Sequence, residues 1–178
     1  MVPKDDSSTG RALVAAVRAS TVELGLFGKR VLVAVSGGPD SVALLLAMCE
    51  ISTSLKLTIA AATVDHQLRE GSAADVRYVA RLCRRLGVGC HCLRVDVTGS
   101  GGLEAAARRA RYRALGALAR QQGYEAIATA HTREDQVETV LLRLGRGAGL
   151  RGARGILARR GAVVRPMLEV TRAHVTRA

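Results

Sequence analysis

The chain of 178 residues has no tryptophan, a single phenylalanine and only three tyrosines, an aromatic share of 2%. That scarcity argues against a platform that grips single-stranded nucleic acid by stacking successive bases on rings. The core must instead be assembled from Val, Leu, Ile and Ala, and a hydrophobic content of 48% supplies them. The length suffices for one domain with a real interior.

Long apolar runs are missing as well. No stretch approaches the ~18 residues that a membrane span needs. Residues 1–30 contain Asp5, Asp6 and Glu23 and have no compact apolar stretch with a cleavage site, so no signal peptide is expected. Cysteine is sparse: Cys49, Cys83, Cys90 and Cys92, with no C-x-x-C pair. These features point to the cytoplasm and reduced thiols. In a strand expected at 88–95, alternation puts Cys90 and Cys92 on one face and His91 on the other. Buried thiols, rather than metal ligands, are the expectation.

Lysine is scarce too, because arginine supplies 24 of the 27 basic side chains. The net charge of +12 is uneven: +3 over residues 1–102 and +9 over residues 103–178. A basic second half suits a polyanionic partner, most simply nucleic acid.

What is present is an alternation of strands and helices. Residues 1–10 read as a tail and 11–27 as an amphipathic helix. Strands are expected at 30–35, 57–64, 88–95, 125–130 and 162–166, and helices at 40–51, 72–86, 103–122 and 134–144. Near-continuous apolar strands between helices predict an α/β fold. Its sheet should be doubly wound, mostly parallel and five-stranded, with helices on both faces, as in Rossmann-like proteins. On the helix at 103–122, Leu103, Ala106, Ala107, Ala110, Ala114 and Leu118 form an apolar stripe, and Glu104 and Arg108 are spaced for an ion pair. The segment "GRGAGLRGARG", residues 145–155, has too little to bury. It should be a mobile basic loop, with Arg146, Arg151 and Arg154 available to nucleic acid.

The first strand runs into "SGGPDS", residues 36–41. Ser36, Gly37 and Gly38 follow the strand, Pro39 and Asp40 come next, and Ser41 opens a helix. Glycines that tolerate positive φ let backbone N–H groups approach an anion, and the helix N-terminus adds positive partial charge. The stretch lacks the lysine of G-x-x-x-x-G-K-[ST], so γ-phosphoryl transfer is not expected. Asp40 would repel phosphate unless a cation lies between them or it only caps the helix.

"SGGPDS" resembles the pyrophosphate loop of the N-type ATP pyrophosphatases, whose fold is called adenine nucleotide alpha-hydrolase-like. Those enzymes split ATP into AMP and pyrophosphate while activating a carbonyl oxygen. Three further stretches narrow the resemblance: "VDHQLR" at 64–69, "EAAARRARYRAL" at 104–115 and "ATAHTREDQVETVLLRLGRGAGLRG" at 128–152, with "VVRPML" at 163–168. In this order they are similar to tRNA(Ile)-lysidine synthetases, over roughly residues 28–175. The family's usual H-H-x-D-D-Q reads "HTREDQ" here, with Thr132 for the second histidine and Glu134 for the first aspartate.

The resemblance implies adenylation of O2 of the wobble cytidine in an isoleucine tRNA with a CAU anticodon, then attack by the ε-amino group of free L-lysine. AMP and pyrophosphate leave. ATP and Mg2+ would be the cofactors, no membrane is involved, and a homodimer is compatible with it. Catalysis would fall to Asp40, Asp135 and His131. Nucleotide binding would involve Ser36, Gly37, Gly38, Pro39, Asp40, Ser41, Val64, Asp65, His66, Arg69, Glu104, Arg108 and Arg111. Asp40 and Asp135 would hold the metal. Asp65, Asp135 and Glu138 are the candidate acids for the lysine ammonium or for magnesium. The expected organisation is a tail and helix at 1–27, an ATP-binding catalytic domain at 28–170, and from 171–178 the start of a linker helix toward a further C-terminal region. Rival readings are a tRNA thiolation enzyme with the same loop, a non-catalytic nucleotide-binding fragment, and an amidotransferase-type synthetase for a small molecule.

Overall fold

The computed structural model describes residues 6–66, 72–97, 102–147 and 154–176. The elements alternate as the pattern requires. Helix α1 spans Asp6–Glu23, strand β1 Arg30–Ala34, α2 Pro39–Ser52, β2 Thr58–Asp65, α3 Ser72–Arg85 and β3 Gly89–Arg94. They are followed by α4 Leu103–Gln122, β4 Ala126–Ala128, α5 Arg133–Gly145, β5 Arg159–Arg160, β6 Val163–Val164 and a short α6, Arg172–Thr176.

One sheet has the order β3-β2-β1-β4-β6-β5, parallel throughout except for the β5–β6 pair. The mostly parallel, doubly wound expectation therefore holds, with six strands in place of five. The sixth is β5, an antiparallel edge of two arginines. It has no apolar alternation to read, and it pairs through backbone groups alone, as a charged edge strand can. Helix α1 also begins earlier than expected, at Asp6 within the presumed tail.

The strands are apolar on both sides because both sides are covered. Val31, Val33 and Val35 face a cluster that includes Leu13 and Val17 of α1, Leu44, Leu45 and Met48 of α2, and Val79 and Cys83 of α3. Leu32 and Ile127 face the other way, against Leu115, Leu118 and Ala119 of α4. The alanines at 60–62 of β2 are small enough for helices to pack close on both faces. Of the predicted α4 stripe, Ala106 and Leu118 are buried and Leu103 is 62% exposed, while Leu115 and Ala119 join the buried set. Helix α5 buries none of its side chains, and Val137, Leu141, Leu142 and Leu144 face outward. Among the described residues no helix is long and apolar enough to cross a membrane.

Strand β1 is flanked by β2 on one side and β4 on the other, so the chain reverses its direction of winding there. Such a switch point leaves a crevice at the carboxyl ends of the strands. The phosphate loop leaves β1 directly into it.

Candidate active site

A cavity of about 1250 Å3 opens at that crevice. It is larger than the ~300–1,000 Å3 of an ordinary small-molecule site, so it has room for a nucleotide and part of a second substrate. Its walls come from the loop after β1, the ends of β2 and β4, helices α4 and α5, and the segment leading into β5.

The loop is built around Ser41. Its Oγ donates to Gly38 O (2.8 Å) and accepts from Ser36 N (3.1 Å) and Ser36 Oγ (3.3 Å). Gly37 carries φ +91°, a conformation that other residues adopt only under strain. Gly38, by contrast, is extended at φ −74° and precedes Pro39, the first helical residue. Only one of the two glycines therefore supplies positive φ. Asp40 and Ser41 sit in the first turn and are not side-chain caps, so their N–H groups have no intrahelical acceptor and can receive an anion. Burial raises the Asp40 carboxyl above its ordinary value; Arg172 opposes this, and Asp135 and Glu134 add to it.

Facing the loop is the start of α5. Thr132 is fully buried as the N-cap, and Asp135 Oδ2 accepts from Thr132 N (2.8 Å) and Thr132 Oγ1 (3.2 Å). A threonine at 132 thus does a helix-capping task suited to its short hydroxyl side chain. The other Asp135 oxygen, Oδ1, accepts from Arg172 Nη2 at 2.8 Å, and Arg172 Nε lies 3.7 Å from Asp40 Oδ2. Glu134 accepts from the backbone N–H of Arg172 at 2.9 Å. The two acids assigned to a metal therefore already converge on one cation, a guanidinium from α6. Among the described residues no three His, Cys, Asp or Glu side chains gather as a ready metal cage. A pair of carboxylates supplemented by substrate phosphates is the set that suits Mg2+, so these residues fit that ion.

The third wall is cationic. The guanidinium carbons of Arg108 and Arg111 each lie 5.4 Å from the ring centre of Tyr112. Arg108 does not pair with Glu104 as their spacing suggested; cation–π contact with Tyr112 replaces that pair. His131 follows β4, and its Nδ1 lies 3.0 Å from Thr129 Oγ1, which donates to Val164 O at 3.4 Å. With the Thr129 hydroxyl proton directed to Val164 O, Nδ1–H donates to that hydroxyl and Nε2 is left as an acceptor. Burial, then the charges of Arg165 and Arg108, hold the imidazole neutral, with its pKa lowered to about 4. His66 is likewise lowered, by burial and then by Arg111.

The basic glycine segment was expected to be mobile. Its C-terminal end, at Gly155, and the two residues that follow are anchored. Gln136 clasps Ile156, accepting from its N–H and donating Nε2–H to its carbonyl at 3.1 Å. Arg143 Nη1 donates to Gly155 O at 2.7 Å, and Arg165 Nη1 donates to Leu157 O at 2.6 Å. None of these long-range latches has a local sequence signature.

The residues singled out by sequence are distributed as follows. Ser36, Gly38, Pro39, Asp40 and Ser41 border the cavity, as do Val64, His66 and Glu104. Arg108, Arg111, His131, Asp135 and Arg154 border it too. Gly37 packs behind the loop against α3, and Asp65 and Arg146 do not reach the cavity wall. Arg69 and Arg151 lie outside the described residues. Arg172, Arg165 and Gln136, whose contacts tie the elements around the cavity together, were not singled out by sequence. No cysteine borders the cavity among the described residues. Cys83 and Cys90 share a hydrogen bond, and burial pushes both thiols up. Cys92 is exposed rather than buried, because β3 is an edge strand.

Among curated proteins, the tRNA(Ile)-lysidine synthase of Salinispora tropica is 50% identical over 167 residues, 90% of this chain and 50% of that protein. The synthase of the same name from Novosphingobium aromaticivorans is 50% identical over 129 residues, 72% of this chain and 39% of that one. The one from Thermobifida fusca is 48% identical over 146 residues, 82% and 45% respectively. The chain thus spans about half the length or less of these relatives. Among solved structures, the U34-tRNA thiolase NcsA from Methanococcus maripaludis superposes with a TM-score of 0.79 at 14% identity, over 95% of this chain and 62% of that one. The NH3-dependent NAD synthetase of Campylobacter jejuni gives 0.58 at 16% identity, over 96% and 70%. At such identities these two show the fold. A family model described as PP-loop domain matches residues 14–178, and the chain belongs to that family.

Proposed function

We propose that this chain is the ATP-binding catalytic part of a tRNA(Ile)-lysidine synthase. One observation carries the reading: the separate stretches that single out those enzymes border one cavity beside the phosphate loop. The relatives' shared name supports it. The reaction joins free L-lysine to the wobble cytidine of an isoleucine tRNA with a CAU anticodon, in the cytoplasm.

The loop at 36–41 receives the β,γ-pyrophosphate of ATP through its glycine backbone and the first-turn amides of α2. Asp40 and Asp135 would hold Mg2+, which neutralises charge on the departing pyrophosphate. Cytidine O2 attacks the α-phosphorus, and the bond to pyrophosphate breaks. The lysine amine then attacks C2, and AMP departs with O2.

The amine must lose its proton to attack. His131 is a poor acceptor for that proton, because burial, and after it the charges of Arg165 and Arg108, lower its pKa to about 4. Its bare Nε2 suits a hydrogen bond from the cytidine amino group. Asp135 is committed to Thr132 and Arg172. Glu138 borders the cavity without such commitments, and we assign it the lysine ammonium.

Thiolation of tRNA by the same loop is the rival. A sulfur carrier would need a thiol at the cleft, and the thiols here lie elsewhere. The test is AMP release from ATP in the presence of the CAU tRNA. Release that requires lysine supports the synthase; release with a sulfide donor in place of lysine supports the thiolase.

A further inference from the structure

Arg165 has no task in the chemistry above. It follows β6, it is 6% exposed, and it borders the cavity. One guanidinium nitrogen donates to Leu157 O, and Nε has no partner. No carboxylate lies within ion-pair distance of it among the described residues. A buried cation without a counter-charge is unfavourable unless something anionic joins it.

Its surroundings sharpen the point. Arg108 and Arg111, from α4, border the same cavity as Arg165 and His131, and their guanidinium groups lie against Tyr112, so three positive charges line one space. The buried polar side-chain atoms that lack partners among the described residues belong to His66, Tyr112 and Arg165, and all three residues border this one cavity. Buried polar groups are normally satisfied, so a set of unsatisfied ones around one space marks a polar ligand.

We propose that Arg165, with Arg108 and Arg111, forms an oxyanion subsite on the β6 side of the cleft, separate from the phosphate loop. In the order β1-β4-β6, Arg165 follows a strand two positions from the one that feeds the loop, about 10 Å across the sheet. The subsite takes an oxyanion of the second substrate: the carboxylate of a free amino acid or a phosphodiester of a polynucleotide. Naming that substrate rests on the lysidine reading; the existence of the subsite does not.

The test has two arms. In the first, the chain is saturated with a non-hydrolysable ATP analogue and titrated with inorganic phosphate while its melting temperature is followed. Phosphate should raise the melting temperature of the wild type, barely move that of Arg165→Met, and act at intermediate strength on Arg165→Lys. Equal shifts in all three proteins overturn the proposal. If Arg165→Met does not fold, Arg165→Lys and Arg108→Gln carry the comparison, and unweakened phosphate binding in both overturns it.

The second arm is kinetic. Loss of a charge-assisted contact should raise one KM at least about tenfold and leave that for ATP within about twofold. A raised KM for lysine, with no such effect on lysinamide, identifies the carboxylate. A raised KM for tRNA, with a flatter salt dependence, identifies the phosphodiester. A raised KM for ATP alone returns Arg165 to the nucleotide cradle and contradicts the proposal. Should the wild type prove inactive with lysine, the phosphate titration still decides whether the subsite exists.

Discussion

Arg172 Nη2 donates to Asp135 Oδ1 at 2.8 Å, so a residue of the last short helix closes on an acid at the start of α5. The same guanidinium reaches Asp40 at 3.7 Å. Two carboxylates from distant parts of the chain are held together by one cation, at the place where Mg2+ is proposed. Arg172→Met should lower the Mg2+ concentration that half-saturates AMP release, by several-fold, because a competing cation is gone. A magnesium titration checks this, and a raised requirement would show that Arg172 prepares the acids instead.

Asp135 has two duties that substitutions can separate. Asp135→Asn keeps an oxygen to accept from Thr132 N and loses only the charge. Asp135→Ala loses both, and should be less stable than the asparagine variant by about 1 kcal/mol, the usual value of a helix cap. Both should lose AMP release. Urea unfolding gives the first comparison, and equal stabilities would remove the capping role.

His131 should shape stability at acid pH. Its folded-state pKa is lowered to about 4 from an ordinary 6.5, so between those values the unfolded chain binds a proton that the folded chain does not. Stability must therefore fall as pH drops through that window. His131→Asn removes this contribution, and its melting temperature should decline less steeply than that of the wild type from pH 6.5 to 4. Parallel curves would mean that the imidazole is not held neutral.

Gly155 has φ +57°, and a Cβ there would collide with the Gln136 side chain that clasps Ile156. Gly155→Ala should release that clasp, at about 1–3 kcal/mol of local strain. Hydrogen exchange at the Ile156 amide should speed up at least about tenfold. Unchanged protection would show that the clasp does not secure the segment.

Neutralising Arg146, Arg151 and Arg154 together should weaken tRNA binding and flatten its salt dependence. Each lost phosphate contact removes about 0.7–0.9 from the slope of log K against log salt. An unchanged slope would leave the segment as a connector.

Much of this was legible in the sequence, because the β–α alternation is written in local apolar patterns. Helix α4 lies at its expected residues, and the phosphate loop follows β1 as its glycines indicated. Strand β5 was illegible, since two arginines carry no strand signal. The Glu104–Arg108 pair was read from spacing and is absent, because Tyr112 draws the arginine. The roles of Arg172, Arg165 and Gln136 depend on partners 20 or more residues away or on burial, neither of which a local pattern contains.

The most direct measurement is transfer of radiolabelled lysine to an isoleucine tRNA with a CAU anticodon, with ATP and Mg2+, beside a control tRNA carrying a changed wobble base. Label on the CAU tRNA alone, lost in Asp40→Ala, is the expected result. Absence of label from this chain, when a full-length relative labels the same tRNA under the same conditions, would contradict the proposal that this chain is the catalytic part of such a synthase.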